Sequence, residues 1–239
     1  MHRVEARGAV SEPRSQLAVS ALTAGTALGQ AVANRVLGAV LLVPAAPILL
    51  AVAVALKIAS PRAPVFYRQE RVGLNRRQGA RSLPDRDRRR GRGEGKPFGI
   101  WKFRTMIPDA EAGTGPVWAT DDDPRITRIG RVLRRTRLDE LPQLFNVVRG
   151  EMFVVGPRPE RPHFVSELAE RVPDYRRRLK VPPGITGLAQ VEREYDADLD
   201  DVRTKLRYDL FYIENRRPSM DLKILLKTLA IVLLRRGAR

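Results

Sequence analysis

The sequence predicts an α+β fold that is mainly helical, with one small β-hairpin, anchored by an N-terminal re-entrant (helix-break-helix) membrane segment and by helices lying in the membrane interface. Three observations carry this reading. Residues 36–56 are 21 uncharged, mostly aliphatic residues between Arg35 and Lys57; as one straight helix they would be about 32 Å long, a membrane length. Residues 64–73 and 98–106 mix aromatic and β-branched side chains with charges, as short strands do. Apolar residues then recur at helical spacing in 126–137 and 141–149, and 224–234 is almost wholly apolar.

Residues 1–34 read as a flexible leader at the surface, since 15–34 are uncharged but rich in Ala, Gly, Ser and Thr. Residues 35–60 form the membrane segment. Pro44 and Pro47 fall near its middle, and each removes a backbone donor and crowds the preceding turn, so a break is expected there. Charge decides between crossing and returning, because basic flanks stay in the cytoplasm. Residues 57–100 hold 13 Lys or Arg against 4 acids, and upstream Arg3, Arg7, Arg14 and Arg35 outweigh Glu5 and Glu12. Both flanks favour one face, which predicts entry and return over a single bent span. A cleaved signal, permitted by the small-residue spacing of Ala51, Ala53 and Ala55, would start far from Met1 and send a strongly basic segment outward.

Residues 61–239 form a cytoplasmic body whose two strands can pair as a hairpin. Between them, 74–97 hold nine basic residues, three acids and almost nothing apolar, which predicts a mobile solvated loop or one that draws in acidic lipid or substrate. Residues 121–125 (DDDPR) read as a turn. The next stretch, 126–137, reads as a basic helix with Ile126, Ile129, Val132 and Leu133 on one face. A second helix, 141–149, carries the stripe Leu141, Leu144, Phe145 and Val148, with Gly150 where a C-terminal cap belongs. Residues 224–234 suit a helix in the membrane interface, with a buried core helix as the alternative.

Composition narrows the chemistry. Lys and Arg number 44 against 27 acids, so the chain favours anionic partners. The Arg-rich stretch lacks interleaved aromatics and no nucleic-acid-binding module is recognisable, so nucleic acid is not the expected partner. There is no Cys, and His2 and His163 are the only imidazoles, which excludes thiolate sites and leaves no material for a His-rich metal centre. Carboxylates must carry any nucleophilic or acid–base role. Asp139 and Glu140 precede Pro142, a first-turn proline, and so open a helix, where unpaired N–H groups keep a carboxylate ionised and attract phosphate oxygens. An ionised Asp there can attack phosphorus; plain helix capping is the alternative. Adjacent helical residues point about 100° apart, so the two acids should play different roles. Arg131, Arg134, Arg135 and Arg137 come just before the pair. Arg158 lies in Gly156-Pro157-Arg158-Pro159-Glu160, whose prolines stiffen the backbone and aim a guanidinium suited to pyrophosphate, unless the segment is only a surface turn.

Five blocks, PVFYRQERVG, KPFGIWKFRTM, TRLDELPQLFNVVRGEMFVVGPRPERP, PPGITGLAQV and YDLFYIEN, closely resemble in order and spacing the bacterial sugar transferase family of polyprenyl-phosphate phosphoglycosyl transferases. The resemblance covers about residues 35–234, and the short length resembles the monotopic form of that family. It implies a two-step transfer of a sugar phosphate from a UDP-sugar to polyprenyl (undecaprenyl) phosphate with release of UMP, the first membrane step of exopolysaccharide or other glycoconjugate synthesis. Asp139 matches the family nucleophile and Glu140 its catalytic neighbour. Mg2+ is implied, bound by Asp139 and the pyrophosphate. Arg134 and Arg158 match phosphate-region arginines, Asp209 an acid near the site, and Pro44 the proline that breaks the membrane helix. Lys102 and Arg104 of the KFRTM segment are expected to bind substrate or phosphate.

The implied location is the bacterial inner (cytoplasmic) membrane, with the body facing the cytoplasm among anionic lipid headgroups; homodimerisation is left open, as is the identity of the sugar. An inactive scaffold of the same fold and a basic nucleic-acid-binding protein are the competing readings. Three departures stand out: Gly38 where relatives usually have Asp, Pro182 where a basic residue is common, and an Arg-rich link between the strands that is longer than usual.

Overall fold

The computed structural model describes residues 14–75, 95–113, 115, 123–192 and 199–234, with side chains from residue 27 onward. The expected mobile Arg-rich loop falls mainly on 76–94, outside the described residues, as do residues 1–13 and the start of the DDDPR turn. The order of elements is α1 (Arg14–Ala59), β1 (Phe66–Val72), β2 (Pro97–Phe103), α2 (Arg128–Arg135), a 3₁₀ turn (Leu138–Glu140), α3 (Gln143–Arg149) and β3 (Phe153–Val155). There follow α4 (Pro162–Arg171), a second 3₁₀ segment (Tyr175–Lys180), β4 (Gly184–Thr186), α5 (Leu188–Glu192), α6 (Leu199–Asn215) and α7 (Pro218–Leu233).

Helix α1 is 46 residues long. Residues 14–34, where the sequence predicts a flexible leader, belong to this helix, because Ala is the strongest helix former and no proline interrupts the run before Pro44. The helical pattern also continues through Pro44 and Pro47, where a break is predicted. Each proline deprives one carbonyl four residues earlier, Val40 and Val43, of its donor. Packing on the body supports the turns beyond them, since Ala45, Leu49, Val52 and Leu56 are buried with Phe103, Leu133 and Leu144. The opposite flank leaves Val36, Val40, Val43, Leu50, Val54 and Ile58 exposed. Residues Ala27–Ala59 are long and apolar enough to cross a membrane by length and composition.

Gly38 sits where α1 crosses α3, and a Cβ there would lie 2.7 Å from Val147 Cγ1. A side chain at this position would press on Val147, so glycine allows the close approach of α1 to α3. Nearby, Asn34 accepts a hydrogen bond from the Val154 amide at 3.2 Å, tying α1 to β3.

The expected hairpin forms: β1 and β2 are antiparallel, in a register running from Phe66↔Phe103 through Tyr67↔Lys102 to Val72↔Pro97. A second, parallel pair joins β3 to β4 with Phe153↔Gly184 and Val155↔Thr186. Its three-residue strands are too short to leave a period in the sequence. Tyr212 on α6 locks this pair to α7 by donating to Val155 O at 3.2 Å and Asp221 Oδ1 at 2.8 Å. Helix α7 has a buried side and an exposed one: Ile224 is buried in the core, as its core-helix alternative expects, while Leu222, Leu226, Leu229 and Leu233 form an exposed apolar stripe.

Candidate active site

The site forms at the corner between α2 and α3. Thr127 caps α2 by accepting from the Gly130 amide at 3.0 Å. At the other end Thr136 donates back to the carbonyls of Val132 and Leu133 at 2.9 and 3.2 Å, and Arg137 turns into the left-handed region at φ 58°. A non-glycine residue in that conformation costs roughly 1–2 kcal/mol. The corner redirects the chain into the 3₁₀ turn that presents Asp139 and Glu140, both buried. The dyad therefore does not open an α-helix. Helix α3 starts only at Gln143, with Pro142 before it, and ends at Gly150 in the left-handed conformation a C-cap glycine supplies.

The two carboxylates have different surroundings. Glu140 accepts from Arg158 through Nη2 at 2.6 Å and Nη1 at 3.2 Å, and from Lys102 Nζ at 3.2 Å. Burial opposes its charge, but Arg158 and Lys102 outweigh burial and hold the carboxyl well below the usual carboxylate range. Asp139 stands outside these bonds. Burial and the adjacent Glu140 charge push its carboxyl up to about 6, against the opposing pull of Lys102, Arg134 and Arg158. The sequence predicts the other direction, a carboxylate kept ionised by helix N–H groups. The helix support is missing because the α-helix begins four residues later, and burial beside a second acid raises the carboxyl instead, leaving it ionised only above about pH 6.

Lys102 reaches the dyad from β2, on the hairpin face shared by its partner Tyr67. Burial pushes its ammonium pKa down, partly offset by Glu140. The hairpin is fixed to α3 by Asn146, fully buried, whose Oδ1 accepts from the Trp101 amide at 3.0 Å and whose Nδ2 donates to Gly99 O at 2.8 Å and Glu151 Oε2 at 2.7 Å. Arg134, half-buried on α2, lies close enough for its charge to act on Asp139. Arg104 is placed differently: it is buried and donates to Pro64 O at 2.9 Å and Met106 O at 3.1 Å, so it fastens the ends of the hairpin. Asp209 on α6 pairs with Arg178 at 2.8 Å and not with the dyad. Burial pushes the Asp209 carboxyl up, against Arg178. Pro44 lies on α1, next to the buried Ala45.

Sequence reasoning missed Arg71, Arg178 and Gln143. Strand alternation in YRQER could have placed Tyr67, Gln69 and Arg71 on the Lys102 face. Nothing marks Arg178 among three consecutive arginines, 176–178. Gln143 is buried with its amide nitrogen unpartnered among the described residues.

No group of three or more metal-ligating side chains occurs among the described residues. Glu140 is committed to cations already, so Asp139 is the dyad member able to take a metal. One open carboxylate beside the cations Lys102, Arg134 and Arg158 suits Mg2+, which is commonly held by one or two carboxylates plus substrate phosphates.

A family model described as "Bacterial sugar transferase" matches residues 26–235. The chain belongs to the bacterial sugar transferase family. Among its relatives, a UDP-N-acetylgalactosamine-undecaprenyl-phosphate N-acetylgalactosaminephosphotransferase of Aeromonas hydrophila is 41% identical over 205 residues, covering 85% of this chain and 44% of the relative. UDP-glucose:undecaprenyl-phosphate glucose-1-phosphate transferases are similar as well. That of Xanthomonas campestris pv. campestris is 37% identical over 208 residues, 86% of this chain and 39% of its own length. That of Caulobacter vibrioides is 39% identical over 190 residues, 79% of this chain and 63% of its own. The chain thus spans between 39% and 63% of the length of these curated relatives.

Proposed function

We propose that this chain transfers a sugar phosphate from a UDP-sugar to undecaprenyl phosphate through a covalent intermediate on Asp139, releasing UMP. The observation that carries the proposal is the division of labour in the dyad: Glu140 is held in place by Arg158 and Lys102, while Asp139 is buried beside it and accepts no hydrogen bond from a described residue. A carboxyl with a pKa near 6 is mostly ionised at neutral pH and, being poorly solvated, is a competent nucleophile.

In the first step an Asp139 oxygen bonds to the phosphorus that bears the sugar. The bond from that phosphorus to the bridging oxygen breaks, and UMP departs with the electron pair. In the second step an oxygen of undecaprenyl phosphate bonds to the same phosphorus, the Asp139–phosphorus bond breaks, and the free carboxylate is restored with a polyprenyl diphosphate sugar as product. Arg158 and Lys102 supply positive charge at the dyad, and Arg134 adds to it. Asp139 and the donor pyrophosphate would hold Mg2+, which supplies charge neutralisation for the departing UMP.

Membrane attachment from the cytoplasmic side fits the surface. The apolar flank of α1 and the leucine stripe of α7 are exposed, and Arg128, Arg131 and Arg135 project from α2. Helix α1 is packed on the body from Gly38 to Leu56, about 27 Å of axis. A complete crossing would draw those arginines and Arg149 into hydrocarbon, which is costly; shallow, one-sided insertion of the unbroken α1 avoids this and supports a monotopic attachment without the predicted helix break. The test is UMP release by the detergent-purified chain from a panel of UDP-sugars, including UDP-glucose and UDP-N-acetylgalactosamine, with Mg2+ and undecaprenyl phosphate. Release that needs both donor and Asp139 is expected; no release from any donor overturns the proposal.

A further inference from the structure

The segment carrying Arg158 has an unusual set of anchors. Four consecutive carbonyls, those of residues 157–160, are all captured, two by adjacent residues of β1 and two by residues 178 and 184. Pro157 O accepts from the Gly184 amide at 2.9 Å and Glu160 O from the Val72 amide at 2.9 Å. The two between them are taken by side chains: Arg158 O by Arg178 Nη2 at 2.9 Å, and Pro159 O by Arg71 Nη1 at 3.0 Å. Both arginines are well buried and backed by acids, with Asp209 on Arg178 at 2.8 Å and Glu160 on Arg71 at 3.2 Å. Arg178 also donates from Nη1 to Tyr175 Oη at 2.6 Å and lies over that ring at 5.1 Å. Burying two guanidinium–carboxylate pairs is expensive unless the geometry is well satisfied, and neither pair touches Asp139 or Glu140. Their shared target is the backbone from which Arg158 projects to grip Glu140.

We propose that Arg178 and Arg71 form a clamp on the Pro157–Glu160 backbone and act as positioning residues for Arg158, with Asp209 orienting Arg178. Asp209 then serves the site at two removes, through Arg178 and Arg158. This rests on the transferase reading. Removing the clamp lets the Arg158 guanidinium drift from Glu140, and displacements of about 1 Å at such positions cost on the order of 100-fold in rate.

The test is a kinetic cycle on the full chain in detergent, with UMP release from UDP-sugar read for wild type, Arg178→Ala, Arg158→Ala and the double variant. Arg178→Ala should lower kcat/KM about 10- to 100-fold in the wild-type background. In the Arg158→Ala background it should lower kcat/KM no more than about 2-fold, because the residue it positions is gone. Melting temperatures identify any variant that is not folded, and Arg178→Lys, which keeps a charge for Asp209 but cannot bridge three acceptors, then replaces Arg178→Ala in the same cycle. Losses that multiply fully in the double variant overturn the clamp while leaving the transferase reading intact. A wild-type chain that releases no UMP overturns the transferase reading instead.

Discussion

Asn146 offers a direct probe of how the dyad is held. It is fully buried, and its amide makes the two bonds a neighbouring strand would make, accepting from the Trp101 amide at 3.0 Å and donating to Gly99 O at 2.8 Å. Asn146→Ala strands both backbone groups. At about 1–3 kcal/mol for each unsatisfied group, the loss sums to roughly 2–6 kcal/mol, or a fall in melting temperature on the order of 10 °C for a chain of this size. Asn146→Asp is sharper, because it preserves volume and the acceptor for Trp101. It removes the donor to Gly99 O and sets a carboxylate against Glu151 Oε2, now 2.7 Å from Nδ2. Its melting temperature should fall at least as far as that of the alanine variant. Since Lys102 lies on β2 and the turn carrying Glu140 runs directly into α3, the two elements Asn146 joins, UMP release measured below the lowered melting point should drop as well. The assay is thermal unfolding in detergent followed by tryptophan fluorescence. An Asn146→Asp variant melting within about 1–2 °C of wild type would refute the reasoning.

Three other outcomes follow from the same structure. With the Asp139 carboxyl pushed up to about 6 by burial and Glu140, formation of the covalent adduct should fall as pH drops through 6, because protonation removes the nucleophile; in Glu140→Gln the residual adduct should persist to lower pH, since an acid-raising charge is gone, as a pH series of adduct yield will record. Gly38→Ala gains about 1 kcal/mol of helix propensity but sets a Cβ 2.7 Å from Val147 Cγ1, a clash of roughly 1–3 kcal/mol. It should be neutral to mildly destabilising, and Gly38→Asp clearly worse, by melting temperature. Leu226→Glu with Leu229→Glu, both on the exposed face of α7, should weaken but not abolish attachment to vesicles of anionic lipid in a flotation assay, since α1 still inserts, while leaving the melting temperature in detergent within a few degrees of wild type.

What the sequence could show depended on whether the physics was local. The hairpin was legible because aromatic and β-branched runs bounded by proline and glycine point to strands, and Gly150 marked the end of α3 for a conformational reason that needs no neighbours. The parallel β3–β4 pair was not, since three residues carry no period and the pairing spans about 30 positions. Proline chemistry predicted a break in α1, and packing of Ala45, Leu49, Val52 and Leu56 on the body carried the helix through. At the site the structure brings Asp139, Glu140, Lys102 and Arg158 together, with Lys102 and Arg158 bonded to Glu140, a pairing the motifs did not reveal. The electrostatics were illegible: Arg137 is not a residue that advertises a left-handed corner, and without that corner the 3₁₀ turn and the burial that raises Asp139 cannot be foreseen. Asp209 was placed near the site by resemblance, but its partner Arg178 emerges only when α6 meets the 3₁₀ segment.

The most direct measurement is the mass of the Asp139-containing peptide after the chain meets a UDP-sugar with Mg2+ and no lipid acceptor. One added sugar phosphate, matched by one UMP released, lost on addition of undecaprenyl phosphate and absent from Asp139→Asn, is the expected result. Turnover to polyprenyl diphosphate sugar with no adduct on that peptide, or undiminished turnover by Asp139→Asn, would contradict the account.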